Sequence, residues 1–483
     1  MIRGQGRDWT VPGSRARIRA GQGAAVALAL LVAILPGPWV WFFMTPLLWG
    51  IWGAGWKQRI QSTALWGGSL LILICYPLLH IDPISFLYAM ILWAVFYLLL
   101  GLLLIPWGRA EKGNAVIQVI SPAIIWLGLS RLFSVNIPPG DFWLLPAMAA
   151  PWPGEVVSFI GAWGLSAFML TTGSALALLA TGARKTGLWS LAVIGFLLVA
   201  LVGAAPDRGV MRDDPVSISL LQGDFGRPWE ERVALLDSLI LPAYLELYAD
   251  RAHESNLVVA PEYALPVALE DYPEIIRKVQ SVVDSFGTPF VIGAEGLVEG
   301  VEDKYYNMAW MFYPGNPPEG RPAPFPAPYT LHETIPGPGP ASFTDPVQMG
   351  ILLCFDLTNP GLVRELASGN DLLVMMTNLQ GFDRTPTKRI LRGLAQLRAA
   401  EAGRYLAIAS NTGPTGIVDP SGRVMEWSAA GRQGVTGTIR LTKRPSWYVI
   451  NGYWVLWVVW AIGLAFSAWS VYPRRTKGGE KYD

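Results

Sequence analysis

Long apolar runs fill most of the first two hundred positions, and much shorter ones, separated by charged residues, take over after them. A helix needs about 20 apolar residues to cross roughly 30 Å of hydrocarbon. Stretches approaching or exceeding that length lie at about 21–37, 38–54, 63–79, 84–107, 115–133, 156–180 and 188–204, with an eighth at about 449–472. Only Pro36, Gly37 and Pro38 divide the first two, so that region reads either as two spans or as one re-entrant hairpin. The pattern predicts a polytopic α-helical membrane domain of about eight spans.

Between 205 and 447 the pattern changes to β-type runs at 217–222, 256–260, 289–293, 308–312, 350–354, 372–377, 405–410 and 416–418. Several are apolar throughout, as strands covered on both faces tend to be. Helical patterns at 231–251, 274–286 and 387–403 lie between them, which makes this segment an α/β domain. The proline- and glycine-rich stretch 317–340 reads as a loop or lid. Three parts result: 1–204 with seven spans, 205–447 as the α/β domain, and 448–483 as the last span and a tail.

Charge placement gives these parts an orientation, because lysine and arginine collect in short cytoplasmic loops. Arg3, Arg7, Arg15, Arg17 and Arg19 precede the first run; Lys57 and Arg59 follow the second, Arg109 and Lys112 the fourth, Arg184 and Lys185 the sixth. The opposite loops carry His80, Asp82, Asp141 and Glu155, with Arg131 as their one nearby cation. The alternation predicts both termini in the cytoplasm and the α/β domain outside. A hydrophobic fraction of 52%, a charged fraction of 15% and a mean hydropathy of +0.36 agree with a membrane protein. A net charge of +1 with no basic cluster argues against a nucleic-acid partner. Two cysteines in unrelated surroundings and three scattered histidines predict neither a disulfide framework nor a metal site.

Two reactive side chains sit where apolar strands end: Glu262 in Val-Val-Ala-Pro-Glu-Tyr and Cys354 in Gly-Ile-Leu-Leu-Cys-Phe-Asp. A carboxylate beside a thiol can take its proton, and the thiolate can attack an acyl carbon. Taken singly, each also fits a structural role, Cys354 as a small buried hydrophobe and Glu262 as a turn cap. Arg398, Glu401 and Arg404 are spaced for mutual pairing on one helix and read as scaffold.

As a set, the motifs resemble the apolipoprotein N-acyltransferases, the membrane-bound branch of the nitrilase (carbon-nitrogen hydrolase) superfamily. The resemblance runs through Leu220-Leu-Gln-Gly-Asp224, Val258 to Pro266, Tyr305-Tyr-Asn307, Gly350 to Asp356, Asn370-Asp-Leu-Leu-Val374 with Thr377-Asn378, Gln396 to Thr412, and Gly416 to Val424. It implies an α-β-β-α sandwich on the outer face of the bacterial cytoplasmic (inner) membrane, with no cofactor. It further implies Glu262 as general base, Cys354 as nucleophile and the Phe355 backbone amide in an oxyanion hole, with Asp356 and Asn378 in support. The implied reaction moves an acyl chain from a phospholipid, through a cysteine thioester, to the N-terminal diacylglyceryl-cysteine of a lipoprotein.

The family's catalytic lysine is the departure. Its motif best matches 329–339, which puts Leu331 at the lysine, Glu333 at the histidine and Gly339 at a supporting glutamate. Shifting the register by one brings His332 onto the motif histidine but puts Thr330 at the lysine. His332 and Lys304 are the substitute donors within reach of the sequence. An active transferase, impaired by Leu331, therefore stands beside two alternatives: a non-catalytic lipid- or lipoprotein-binding scaffold of the same fold, and a membrane-anchored amidase.

Overall fold

The computed structural model describes residues 14–35, 37–104, 115–136, 154–204, 215–327, 333–382, 387–428, 431–458 and 460–461. Helix α1, Arg15–Ile34, is capped by Ser14, whose side chain accepts from the Arg17 amide. The chain then makes a 3-10 turn at Pro38–Phe42 and a short α2, Thr45–Gly50. These pieces run back along α1. Gly50 lies so close to Gly21 that a Cβ on Gly21 would come 2.4 Å from the Gly50 Cα. Further on, the Arg17 guanidinium donates to the Trp52 carbonyl. The stretch 38–54, expected as either a span or half a hairpin, is thus an interrupted return alongside α1 rather than a continuous helix. Irregular backbone in apolar surroundings must be covered by protein, and Phe43, Met44, Leu47, Leu48 and Ile51 are each no more than 1% exposed.

Helices α3 (Trp56–Cys75), α4 (Leu78–Ile81), α5 (Pro83–Leu103), α6 (Ala115–Asn136), α7 (Gly154–Ala180) and α8 (Arg184–Gly203) follow. Among the described residues four helices are long and apolar enough to cross a membrane: α1, α5, α7 and α8. The expected count of about eight is not confirmed among the described residues. One reason is the break at 38–54; others are the charged start of α3 at Lys57 and Arg59 and the 17-residue apolar stretch Ile117–Phe133 of α6. Half of the eighth, 449–472, lies outside the described residues.

The ends of these helices are sorted. Buried Arg59 donates to the carbonyls of Ala54 and Leu104, gathering the start of α3 and the end of α5 beside the region where Arg17 holds Trp52. At the opposite end Arg389 donates to the Ile34 carbonyl, and Gly154 lies against Ser421. The α/β domain therefore sits on the end of the bundle away from Arg17 and Arg59.

That domain contains two six-stranded sheets. The first has the order β12 (Gln433–Ile439), β1 (Val216–Gln222), β2 (Leu257–Val259), β3 (Phe290–Leu297), β4 (Tyr305–Phe312), β5 (Glu319–Pro322). The second has the order β11 (Val424–Trp427), β10 (Gly416–Val418), β9 (Tyr405–Ser410), β8 (Leu372–Thr377), β7 (Met349–Leu353), β6 (Ala341–Phe343). Alternate residues of both, such as Ile218, Val259, Met311, Ile351, Val374 and Ala407, meet in a common core. The other face of the first sheet is covered by α10 (Leu241–Ala252) and α11 (Pro273–Phe286). The other face of the second is covered by α12 (Pro360–Gly369) and α13 (Thr387–Ala402). The α-β-β-α sandwich is the expected one. Within 317–340, expected as loop, β5 adds an edge strand to β4.

The α12 and α13 layer shares one apolar cluster with the membrane helices. A buried polar thread joins them as well. At a kink where Gly161 takes φ +65°, the Ala162 amide of α7 donates to Glu401 Oε1 at 2.6 Å. Glu401 pairs with Arg398, both no more than 3% exposed, and Arg398 donates to the carbonyls of Leu357 and Thr358. The residues read as scaffold thus reach from a membrane helix to the turn that follows Cys354.

Candidate functional site

Strands β2, β4, β7 and β8 end around one point. Beyond β2, Glu262 is 4% exposed, and the next residue, Tyr263, takes a left-handed φ of +49°. Parity along β4 sends Ala309 and Met311 into the core between the sheets and Met308 and Trp310 toward the helices. Asn307 falls on the inward side. Its Nδ2 donates to Glu262 Oε1 at 2.6 Å. At the end of β8 the Asn378 backbone amide donates to the other oxygen, Oε2, at 2.8 Å. Both carboxylate oxygens are thereby fixed by groups that belong to strands.

Cys354 follows β7 with φ +46°, a conformation costly to a residue with a Cβ. It opens the 3-10 turn Cys354–Thr358. Thr377 Oγ1 donates to its sulfur at 3.3 Å, and the thiol hydrogen-bonds to Glu262. Phe355 is the second residue of the turn, where helical backbone leaves N–H groups without an internal acceptor. Asp356, fully buried, accepts from the Phe325 amide at 3.0 Å and the Leu353 amide at 2.9 Å. It ties the segment leading into 328–332 to the end of the nucleophile's strand.

Electrostatics follow from burial. Desolvation pushes Glu262 up to about 7, opposed by the Asn307, Asn378 and Cys354 hydrogen bonds and by the charge of Arg232. The thiol of Cys354 is pushed well above its ordinary value, first by burial and then by the Glu262 charge. Because the thiol is raised further than the carboxyl group, moving its proton onto Glu262 is uphill. Asp356 is raised to about 8, again chiefly by burial.

The fold brings Glu262, Cys354, Phe355, Asp356 and Asn378 to one place, and Asn378 meets the carboxylate through its backbone. Its side-chain oxygen instead accepts from Gln380 and Asn411. Leu331 and His332 lie outside the described residues. Lys304 lies immediately before β4, after the turn at 302–303.

The sequence reading assigned no role to Asn307, Thr377 or Arg232. Asn307 had a signal, since it closes the Tyr305-Tyr-Asn motif at an inward position. Arg232, on α9 (Trp229–Ala234), is 1% exposed, donates to the Tyr263 carbonyl and lies over the Trp229 ring. Nothing local marks it, because only the fold brings α9 beside Glu262. Asn307 Oδ1 is a buried acceptor without a donor among the described residues.

Residues 229–443 match the carbon-nitrogen hydrolase family. An apolipoprotein N-acyltransferase of Geobacter metallireducens is 25% identical over 417 residues, covering 76% of this chain and 77% of its own. One from Pseudomonas putida is 25% identical over 460 residues, 86% of each chain. Among solved structures, an amidase from Nesterenkonia sp. aligns at 18% identity and a TM-score of 0.40, covering 53% of this chain and 100% of its own.

Proposed function

We propose, for a chain that belongs with the apolipoprotein N-acyltransferases to the membrane-bound branch of the carbon-nitrogen hydrolase family, acyl transfer from phospholipid to lipoprotein through a thioester on Cys354. The observation that carries this reading is the Glu262 carboxylate, held at both oxygens by Asn307 and Asn378 and accepting from the Cys354 thiol. Glu262 takes the thiol proton, and the thiolate attacks the ester carbonyl of the lipid. As the tetrahedral intermediate collapses, the carbon–oxygen bond breaks and Glu262 returns the proton to the departing glycerol oxygen. Lysophospholipid leaves. The amine of a diacylglyceryl-cysteine then attacks the thioester, gives its proton to Glu262, and the thiol re-forms as the amide is released.

Developing oxyanion charge needs preorganised donors. The Phe355 amide is one. The motif cation is replaced by Leu331, so the acylation step is expected to be slow. The α/β domain is assigned to the outer face of the cytoplasmic membrane, supported by the basic helix ends that lie opposite it. A reporter joined after Asp207 should be active outside the cell and one joined after Lys477 inactive there; a cytoplasmic signal at Asp207 overturns the orientation.

The chemistry is tested with a phospholipid labelled in its acyl chain. The label should attach to Cys354, be released by hydroxylamine, and pass to an added diacylglyceryl peptide. No label at Cys354 over long incubation, with lipid bound, selects the scaffold reading that the lost lysine favours.

A further inference from the structure

A cavity of about 450 Å³ has Lys388, Arg389, Arg392, Thr412, Trp427 and Asp224 in its lining. Thr387 starts α13, so the first two turns of that helix carry three cations into one wall, where the helix dipole also favours an anion. Arg392 stacks over the Trp427 ring at 4.8 Å and pairs with no carboxylate among the described residues. Lys388 reaches the Thr412 carbonyl. The Thr412 hydroxyl is a buried group without a partner among the described residues, on a residue 8% exposed. Asp224 is the carboxylate in this lining, leaving the positive charges in excess.

The position of the cavity narrows the ligand. Thr412 follows Asn411, whose side chain donates to Asn378, the residue whose amide holds Glu262. On the other side Arg389 donates to the Ile34 carbonyl at the end of α1, where Ile34, Leu35 and Phe42 are 59%, 45% and 49% exposed. Cations, a stacking ring and a spare hydroxyl suit a phosphate; an exposed apolar helix end suits acyl chains.

We infer that this cavity binds the phosphate of a glycerophospholipid, with the chains laid along the exposed end of α1. The inference rests on the acyl-donor reading, because it names where the donor's headgroup is held. Its test avoids the chemistry: full-length Cys354→Ala protein in nonionic detergent is titrated by native mass spectrometry. The probes are dioleoylphosphatidylglycerol, dioleoylglycerol with the same chains and no phosphate, and inorganic phosphate.

The phospholipid should bind at least about tenfold more tightly than the diacylglycerol, the scale of one lost charge-assisted contact. Arg389→Gln with Arg392→Gln should remove that preference and leave diacylglycerol binding unchanged. Arg392→Gln alone gives a partial loss and serves if the double variant unfolds. A preference that survives these changes, or no preference at all, overturns the site. Inorganic phosphate bound here without any lipid preference assigns the cavity to a free anion and overturns the lipid. Thioester formation is read separately in unmodified protein, so either reading can fail alone.

Discussion

The two halves of the acyl site are built differently. At one, Glu262, Asn307, Cys354 and Thr377 stand at the ends of strands whose faces are buried, and each is held by a neighbour's hydrogen bond. At the other, the resemblance read from the sequence matches 329–339 to the family motif with departures at Leu331, Glu333 and Gly339. The described part of that stretch is tied to the sheet by backbone bonds, Tyr305 to Glu333 at 2.9 Å and Gly337 to Ala323 at 2.8 Å. Those bonds do not depend on the side chains that differ. A Cβ added at Gly339 meets nothing within 4 Å. Glu262 and Cys354 are therefore tied to the core, whereas the described part of the loop is held through its backbone.

The largest expected effect breaks the strand half. Cys354→Ala should abolish thioester labelling while thermal unfolding stays close to that of the parent, because removing a small thiol loses little packing compared with a large side chain. Full transfer by that variant removes the nucleophile assignment. Glu262→Gln keeps the shape and should slow acylation by about 100- to 10,000-fold; an unchanged single-turnover rate eliminates the base. The loop half is then repaired. Leu331→Lys with Gly339→Glu should raise the rate by about 100- to 1,000-fold, the value of one preorganised donor. Leu331→Lys alone should gain less, since an ammonium without its carboxylate is costly to bury. No gain from the double change means that the cation is already supplied elsewhere.

The smallest effect concerns pH. A base must be deprotonated to act, and burial places Glu262 at about 7, so acylation should rise with pH through that region. Arg232 holds Glu262 down by its charge. Arg232→Gln should therefore shift the rising limb to higher pH, and Arg232→Lys should restore part of the shift. A limb that does not move leaves Arg232 with only its hydrogen bond to Tyr263.

Periodicity carried most of the architecture because buried strands and long apolar helices write themselves locally. It lost the break within 38–54, where each apolar residue fits a span; the return itself was expected, and the close approach of Gly21 and Gly50 shows how tightly it packs. Edge strands such as β5, Glu319–Pro322, also went unread, because a half-buried run containing Gly and Pro carries no β signature. Glu262 and Cys354 were legible as reactive groups ending apolar runs. Arg232 was not, since its place beside Glu262 depends on packing across the sequence. Asn378 was read only as support for the site; that its amide makes the contact is set by backbone geometry.

The central claim is that the strand-held pair still forms a thioester and that the loop's lost cation only slows it. Single-turnover acylation of Cys354, followed by the mass of the intact protein after mixing with phospholipid, tests this most directly. The expected result is a slow, hydroxylamine-reversible gain of one acyl chain, accelerated in the Leu331→Lys, Gly339→Glu variant. A protein that binds lipid yet never gains that mass, with or without the restored pair, contradicts the account.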